Sequence, residues 1–226
     1  MGDLFTPGEY WTPARARDAV ARMRAINESP EMQAMMDTIA GSMDDGADPA
    51  AVAASMSGVA APKKDGRIDP GACIYRRGRA GDVPALAQLI AAGELPPLFI
   101  EEFVEGFVVV EHEGEIVGCG GLEVYDDASG VIRSVVVDER VRGMRIGEKV
   151  ARLLTEDALA AGIEDLYLFT MHAHPFWQRL GYVDVSLDAW KQAPRVCWQY
   201  QFLSRYPEAS RDVFVMWRRV GGGTAA

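Results

Sequence analysis

The sequence predicts an α/β fold in which a mixed sheet is covered by helices and preceded by a helical N-terminal extension. Strand-like and helix-like patterns alternate from Cys73 onward. The apolar runs VIRSVVV and LYLF show little alternation of apolar and polar residues, which is typical of strands buried on both faces. Residues 1–70 differ, because they are rich in Ala, Met and Pro. We therefore expect helices against the sheet and a separate region before it.

Composition narrows the class of protein. The chain has 226 residues, 49% hydrophobic and 25% charged, an ordinary globular composition compatible with one or two domains. Its formal charge of −10 repels nucleic acids and anionic lipids, so neither is an expected partner. No run approaches the ~18 apolar residues that cross a bilayer. Three scattered cysteines fit a reducing compartment, and we predict a cytoplasmic protein.

The N-terminal extension contains three pairs that predict helix starts, Thr12-Pro13, Ser29-Pro30 and Asp48-Pro49, because the first residue caps free N–H groups and proline fits the first turn. The second helix carries an apolar stripe that is either its buried side, the favoured interpretation, or an adaptable binding surface. The stripe consists of Met32, Met35, Met36, Ile39 and Met43.

A linker is predicted from Ala60 to Gly71, since Pro and Gly are frequent there. We place the domain boundary near residue 71. The extension and linker are then residues 1–70, the main domain is 71–220, and a disordered tail is 221–226.

The main domain is predicted as a series of short elements. A helix is expected directly after Asp82, whose side chain is predicted to cap it. Further helices are expected within Leu95–Phe107, from Gly147 to Ala161 and around Pro175–Leu180. Strands are expected at 73–77, 107–112, 115–125, 131–138, 165–170 and 213–217, with Glu113-Gly114 as a hairpin turn.

The stretch SVVVDERVRGMRIGEKVARLL leads from a buried strand through a loop directly into an amphipathic helix. Main-chain N–H groups at a helix start lack internal partners and attract anions such as a pyrophosphate. Gly143 and Gly147 allow close approach, while Arg140, Arg142 and Arg145 offset negative charge. A loop that merely closes a strand–helix connection is the alternative. The spacing fits neither a Walker loop nor a dinucleotide fingerprint.

Residues 142–147, RGMRIG, resemble the R/Q-x-x-G-x-G/A signature of the GNAT superfamily of acyl-CoA N-acyltransferases at its first and last positions. Arg145 stands where the family has its first glycine. Residues 176–182, FWQRLGY, are similar to the family's F-Y-x-x-x-G-F box. The resemblance extends over residues 73–185, and is greatest to the acetyltransferase domain of bacterial N-acetylglutamate synthases and to arsenic-operon acetyltransferases. It implies a GNAT-type, mostly antiparallel mixed sheet.

The resemblance implies acetyl-CoA as co-substrate, with its pantetheine between the strands VIRSVVV and LYLFT and its pyrophosphate on the turn. The amide of Val136 would point at the thioester oxygen, where negative charge develops. Ser134 is either a second donor or a small residue tolerated in a strand. The implied cofactor-binding residues are Val135, Val137, Arg142, Gly143, Met144, Arg145, Ile146, Gly147 and Phe176.

The acceptor amine must lose a proton, because a free alkyl amine is almost wholly protonated at neutral pH. Glu123 is the first candidate for general base. Asp126, Asp127 and Glu102 are alternatives, and a solvated surface carboxylate is the ordinary interpretation of each. Trp177 replaces the tyrosine that protonates the thiolate in many GNAT enzymes, and indole cannot act as an acid. His172 and His174 are candidate proton relays.

For the acceptor, Arg133 is expected to clamp a carboxylate, and Arg195 with Arg205 to complete the pocket, with a surface salt bridge as the alternative. The C-terminal segment also carries an aromatic cluster, for which internal packing or the subunit contact of a homodimer is the favoured interpretation and a substrate cage is the alternative. The cluster consists of Trp190, Trp198, Tyr200, Phe202 and Tyr206. His172, His174 and Cys197 lack a fourth ligand, so no metal is expected.

Together these features predict an acetyl-CoA-dependent N-acetyltransferase that acts by direct transfer on the amine of a small molecule, for example the amino acid glutamate. Two alternatives remain open. The first is a non-catalytic CoA-binding regulatory module, and the second is a protein-modifying acetyltransferase whose N-terminal helices recruit the partner.

Overall fold

A computed structural model describes residues 4–44 and 68–221. The predicted helix start at Asp48-Pro49, the side chain of Met43, most of the predicted linker and nearly all of the tail lie outside the described residues. The domain boundary near residue 71 stays a prediction. The described chain forms two compact units: one comprises residues 4–10, 68–122 and 134–157, and the other comprises 11–44, 123–133 and 158–221.

Seven helices and seven strands are described. The helices are α1 Pro13–Asn27, α2 Pro30–Asp44, α3 Val83–Ala92, α4 Ile100–Phe103, α5 Ile146–Ala160, α6 His174–Arg179 and α7 Trp198–Arg205. The strands are β1 Ile74–Arg77, β2 Phe107–His112, β3 Glu115–Val124, β4 Ser129–Val137, β5 Asp165–Thr170, β6 Val183–Asp184 and β7 Phe214–Arg219. The predicted elements from Cys73 onward are confirmed, although α4 is shorter than expected. Helix α7 and strand β6 were not predicted.

The strands form one sheet in the order β1-β2-β3-β4-β5-β7-β6. Pairs β1–β2, β2–β3, β5–β7 and β6–β7 are antiparallel, whereas β4–β5 is parallel. Glu113 and Gly114 form the predicted hairpin turn, both with positive φ (50° and 82°). The mixed, mostly antiparallel sheet predicted from the sequence is confirmed.

In the first unit, α5 packs closely on the sheet at Gly120. A Cβ at Gly120 would lie 2.7 Å from Val150 Cγ1, 2.9 Å from Val135 Cγ2 and 3.0 Å from Leu154 Cδ1. Val150 and Leu154 are fully buried. This close contact holds α5 against strand β3.

Asp82 precedes α3 as predicted, but its carboxylate does not cap that helix. It accepts two hydrogen bonds from the buried Arg76, at 2.6 and 2.8 Å, and a third from the main-chain N–H of Arg79. The expectation of a capping side chain is therefore wrong, because a buried guanidinium binds both carboxylate oxygens. These contacts lower the pKa of Asp82, with the hydrogen bond from Arg76 as the largest cause.

In the second unit, α1 begins at Pro13 with the Thr12 hydroxyl accepting the N–H of Arg15, and α2 begins at Pro30. Both predicted helix starts are confirmed. Along the apolar stripe of α2, Met32, Met36 and Ile39 are buried, so the stripe is the helix's inner side.

The C-terminal aromatic residues pack inside the second unit. Trp190 lies 4.4 Å from the ring of Tyr167, 4.7 Å from Phe169 and 5.6 Å from Tyr200 (centroid distances). Trp198 and Phe202 are also buried. Internal packing explains this cluster, and the homodimer stays a prediction.

Candidate active site

The loop between β4 and α5 is exposed to solvent where the anion-binding turn was predicted. Asp138 caps a short 3-10 turn, Glu139–Val141, by accepting the N–H of Arg140. Residues 142–145 are exposed, and Ile146 is buried as the first residue of α5. The carbonyl of Arg145 accepts the N–H of Lys149 at 3.0 Å, so the helical hydrogen-bond ladder begins at the loop's end.

Two loop residues have left-handed backbone conformations. Gly143 has φ +80° and Arg145 has φ +59°. Arg145 occupies the signature position at which GNAT proteins have glycine, and its backbone adopts a conformation that is typical of glycine. An L-residue pays about 1–2 kcal/mol for this conformation. The loop therefore retains a glycine-like path at Arg145 at the cost of backbone strain.

Gly147 lies in the first turn of α5, where main-chain N–H groups have no partner within the helix. A Cβ there would touch only Val137 Cγ1, at an ordinary 3.8 Å. Packing within the protein thus does not require glycine at this position. The absence of a side chain keeps the surface of the helix start open to a ligand.

The three arginines of the loop differ in their contacts. Arg140 donates to Glu115 at 2.5 Å and to Asp138 at 2.7 Å, and these hydrogen bonds raise the pKa of its guanidinium. Its charge is therefore balanced inside the protein, which corrects the expectation that it offsets ligand charge. Arg142 and Arg145 are exposed, and in the described part of the chain neither pairs with a carboxylate.

Strand β4 contains a local irregularity at Ser134, whose φ is +52°. Its parallel pairing with β5 covers only Ser129–Val131, opposite Asp165–Tyr167. Ser134, Val135 and Val137 are partly exposed, whereas the side chain of Val136 is buried.

The end of α3 fits tightly against Val136. A Cβ at Gly93 would lie only 2.2 Å from Val136 Cγ2, so glycine is required for this contact. Because β4 bends at Ser134 and Val136 is held by α3, the path of the strand around the predicted amide donor is well defined.

The predicted base and the predicted carboxylate clamp contact each other. Arg133 Nη1 donates to Glu123 Oε1 at 2.9 Å, and the Tyr125 hydroxyl donates to Glu123 Oε2 at 2.6 Å. The side chains of Arg133 and Glu123 are each 2% exposed. Burial, followed by the nearby charge of Glu123, raises the pKa of Tyr125 well above its usual value. Tyr125 therefore remains a hydrogen-bond donor at neutral and moderately alkaline pH.

The other predicted acceptor residue, Arg195, donates to the carbonyl oxygens of Trp190 at 2.9 Å and Asp188 at 2.8 Å. Its guanidinium thus binds the main chain of its own segment. Phe176, predicted to contact the cofactor, is half-buried and makes an edge contact with Trp177 at 5.0 Å.

The alternative acid–base groups lie in different surroundings. Asp126 is exposed, whereas Asp127 accepts the N–H of Ala193 at 3.1 Å. His174 Nε2 lies 2.7 Å from Asp184 Oδ1, and His172 is exposed. Through this hydrogen bond, Asp127 binds the main chain of the C-terminal segment at Ala193.

The paired burial of Glu123 and Arg133 was not foreseen from the sequence. A signal was present, because each is the one charged residue in its otherwise apolar run, GCGGLEVY and GVIRSVVV. Two isolated opposite charges in buried strands indicate a mutual partner, since buried charges are seldom tolerated unpaired.

Among residues 4–44 and 68–221, no group of three or more His, Cys, Asp or Glu side chains is arranged to hold a metal ion. Over the same residues, every helix is too short or too polar to span a bilayer.

Comparisons with known proteins agree with the motif assignment. Residues 87–182 match the model of the Acetyltransferase (GNAT) family. An amino-acid acetyltransferase of Mycobacterium tuberculosis is 32% identical over 122 residues, which cover 50% of this chain and 70% of that relative. One from Vibrio vulnificus is 24% identical over 107 residues, covering 47% of this chain and only 24% of the relative.

Two solved structures have the same fold. The N-acetylglutamate synthase of Neisseria gonorrhoeae, complexed with coenzyme A and N-acetyl-glutamate, aligns with a TM-score of 0.57 at 21% identity, covering 71% of this chain and 36% of that one. Rv2747 of Mycobacterium tuberculosis, in complex with CoA, aligns with a TM-score of 0.55 at 25% identity, covering 66% and 99%. From its family match and its similarity to the mycobacterial enzyme, the chain belongs to the GNAT family of acetyltransferases.

Proposed function

We propose that the protein transfers the acetyl group of acetyl-CoA directly to the amine of an amino acid, with glutamate as the first candidate. The main support is the loop 142–147 at the start of α5, whose residues 142–145 are exposed and which lies inside the segment that matches the GNAT family. The names of the sequence relatives, amino-acid acetyltransferases, and the ligands in the structure of the Neisseria enzyme support an amino acid as acceptor.

The loop would hold the pyrophosphate of acetyl-CoA. Main-chain N–H groups of the first turn of α5 carry partial positive charge, and two exposed guanidinium groups lie beside them. Main-chain groups of Val135 and Val137 would hold the pantetheine. The loop ligands in this proposal are Arg142, Gly143, Met144, Arg145, Ile146 and Gly147, with Phe176 as an apolar contact.

In the reaction, the neutral amine attacks the thioester carbonyl carbon, and the carbonyl oxygen becomes negatively charged. The N–H of Val136 would stabilise that oxygen, and the Ser134 hydroxyl is a second candidate donor. The carbon–sulfur bond then breaks and CoA leaves as a thiolate. A thiol pKa of about 8.5 makes the thiolate an adequate leaving group without a general acid, consistent with Trp177 in the F-Y box.

The groups that bind and deprotonate the acceptor stay predictions. Glu123 is the predicted base, and Arg133 and Arg195 are the predicted partners of an acceptor carboxylate. All three side chains already have the protein contacts described above. Any role in acceptor binding would have to add to those contacts or replace them.

The test is release of free thiol from acetyl-CoA by the purified protein, with single amino acids as acceptors. We expect turnover with at least one amino acid, glutamate first, and the matching N-acetyl product by mass spectrometry. Binding of CoA without turnover on any amine would favour the non-catalytic module. Acetylation only of a protein acceptor would favour the protein-modifying alternative, and no binding of CoA would overturn the whole proposal.

The loop assignment is tested by Gly147→Leu. Its side chain would project where the diphosphate is expected, so we expect the KM for acetyl-CoA to rise at least tenfold. Gly81→Ala is the control, because a Cβ there would meet nothing within 4 Å. An unchanged KM in the Leu variant would contradict the assignment.

A cytoplasmic location stays a prediction.

A further inference from the structure

We infer that Glu123 is a positioning residue, which holds Arg133 and through it the bend of β4 at Ser134, and that the proton of the acceptor amine is taken by a different group. This inference rests on the proposed function, because it assigns a role within acetyl transfer. It replaces the role of base that the sequence predicts for Glu123.

The first reason is that both carboxylate oxygens are occupied. Oε1 accepts from the Arg133 guanidinium at 2.9 Å, and Oε2 accepts from the Tyr125 hydroxyl at 2.6 Å. A general base must come within about 2.6–3.2 Å of the proton it removes, or of a bridging water.

The second reason is the dry environment of the carboxylate. Taken as whole residues, Glu123 is 1% exposed, Tyr125 is 3% exposed and Cys197 is completely buried. Burial raises the pKa of the Cys197 thiol, and the charge of Glu123 raises it further. Glu123 therefore lies among Arg133, Tyr125 and Cys197 in the second unit, and it is almost wholly shielded from solvent.

The third reason is what the ion pair fixes. Removing one partner of an ion pair buried this deeply leaves the other charge without compensation, so Glu123 holds Arg133 strongly in place. The next residue, Ser134, has φ +52°, and Val136, the predicted amide donor, follows two positions later. A non-glycine residue with positive φ departs from the extended conformation, so Ser134 changes the direction of the strand at this point. Anchoring Arg133 therefore fixes the strand directly before the residue whose N–H would stabilise the transition state.

The test compares Glu123→Gln, Glu123→Ala and Tyr125→Phe with the wild type for kcat, KM and the pH dependence of kcat/KM. Gln keeps an oxygen that accepts from Arg133, whereas Ala leaves the guanidinium without that partner. We expect kcat of the Gln variant within about tenfold of wild type, and the Ala variant at least tenfold lower. The KM for acetyl-CoA should change by less than about twofold, since the amide acts only in the transition state.

The pH profile separates the two roles. If Glu123 were the base, the acid limb of the profile would report its ionisation, and Glu123→Gln would abolish that limb. We expect that limb to stay in place in both Tyr125→Phe and Glu123→Gln.

Equal losses of 10²–10⁴ in Gln and Ala, the usual effect of losing a general base, would overturn the inference, as would an acid limb that moves or disappears. Thermal melts and CoA binding show that each variant is folded. If the Ala variant does not fold, the Gln and Phe variants still decide. Absence of wild-type turnover is a separate outcome, because it refutes the proposed function.

Discussion

Replacing Arg145 with glycine should stabilise the fold and weaken binding of acetyl-CoA. Arg145 has φ +59°, a conformation that costs an L-residue about 1–2 kcal/mol. Glycine removes that cost. Its greater conformational freedom in the unfolded chain, however, lowers the free energy of unfolding by about 0.4–1 kcal/mol. The net stabilisation is about 0.5–1 kcal/mol, which raises Tm by about 2 °C for a chain of this size.

The same change removes one of the two exposed guanidinium groups from the loop. A hydrogen bond to a charged group contributes about 1.5–3 kcal/mol when sheltered, and less in a solvent-exposed loop. We therefore expect the KM for acetyl-CoA to rise about five- to tenfold, with kcat at saturation unchanged. The assays are differential scanning calorimetry for Tm and thiol release for KM, each at low and high salt.

Arg145→Ala is the matched control, since it loses the same charge but keeps a non-glycine residue in the left-handed conformation. It should show the same rise in KM without the rise in Tm. The reasoning about strain is refuted if Arg145→Ala is as stable as Arg145→Gly. The reasoning about charge is refuted if either variant keeps the wild-type KM.

Three further predictions concern a close contact between α3 and β4, a buried ion pair, and the stability of the fold at acid pH. Gly93→Ala would place a Cβ 2.2 Å from Val136 Cγ2, so we expect a loss of about 1–3 kcal/mol in thermal melts and a lower kcat in thiol release. Asp157→Asn neutralises a fully buried carboxylate that pairs with Arg77. The free energy of unfolding, measured with urea, should fall by about 3–5 kcal/mol. Arg76 lowers the pKa of Asp82, so their pair stabilises the fold above the ordinary Asp pKa of about 3.9 and loses that effect as the pH falls further. Acid unfolding followed by circular dichroism should therefore be less steep in Asp82→Asn.

Each of these three predictions has a control variant or a result that would contradict it. Gly81→Ala has open space around the new Cβ, and equal destabilisation by both alanines would contradict the steric argument. Glu156→Gln alters an exposed pair with Arg152 and should cost less than about 0.5 kcal/mol. A wild-type acid transition in Asp82→Asn would show that this carboxylate does not contribute to acid unfolding.

Local patterns in the sequence were sufficient for most of the secondary structure. The stripe of Val150, Leu153, Leu154 and Ala158 predicts α5, and all four side chains are buried. Gly162, the residue directly after the predicted helix, has φ +77°, which is typical of glycine at a helix end. These features are local, because a helix face or a turn depends on residues a few positions apart.

Short elements without a clear period were missed. Strand β6 has two residues and is defined by its pairing with β7, as Val183 lies opposite Trp217. Helix α7 lies in an aromatic-rich segment whose buried side is set by the packing of Tyr200 against Trp190. Their existence depends on residues distant in the chain, so no local pattern predicts them.

The sequence by itself determined the loop signature, the order of strands and helices, and the membership of the GNAT family that these imply. Only the tertiary structure decided the partners of the buried charges: Glu123 with Arg133 and Tyr125, and Arg140 with Glu115. Such pairs join side chains that lie apart in sequence, and strand register and burial decide which charges meet. For that reason the sequence identified candidate residues, whereas the fold determined which of their atoms are already occupied.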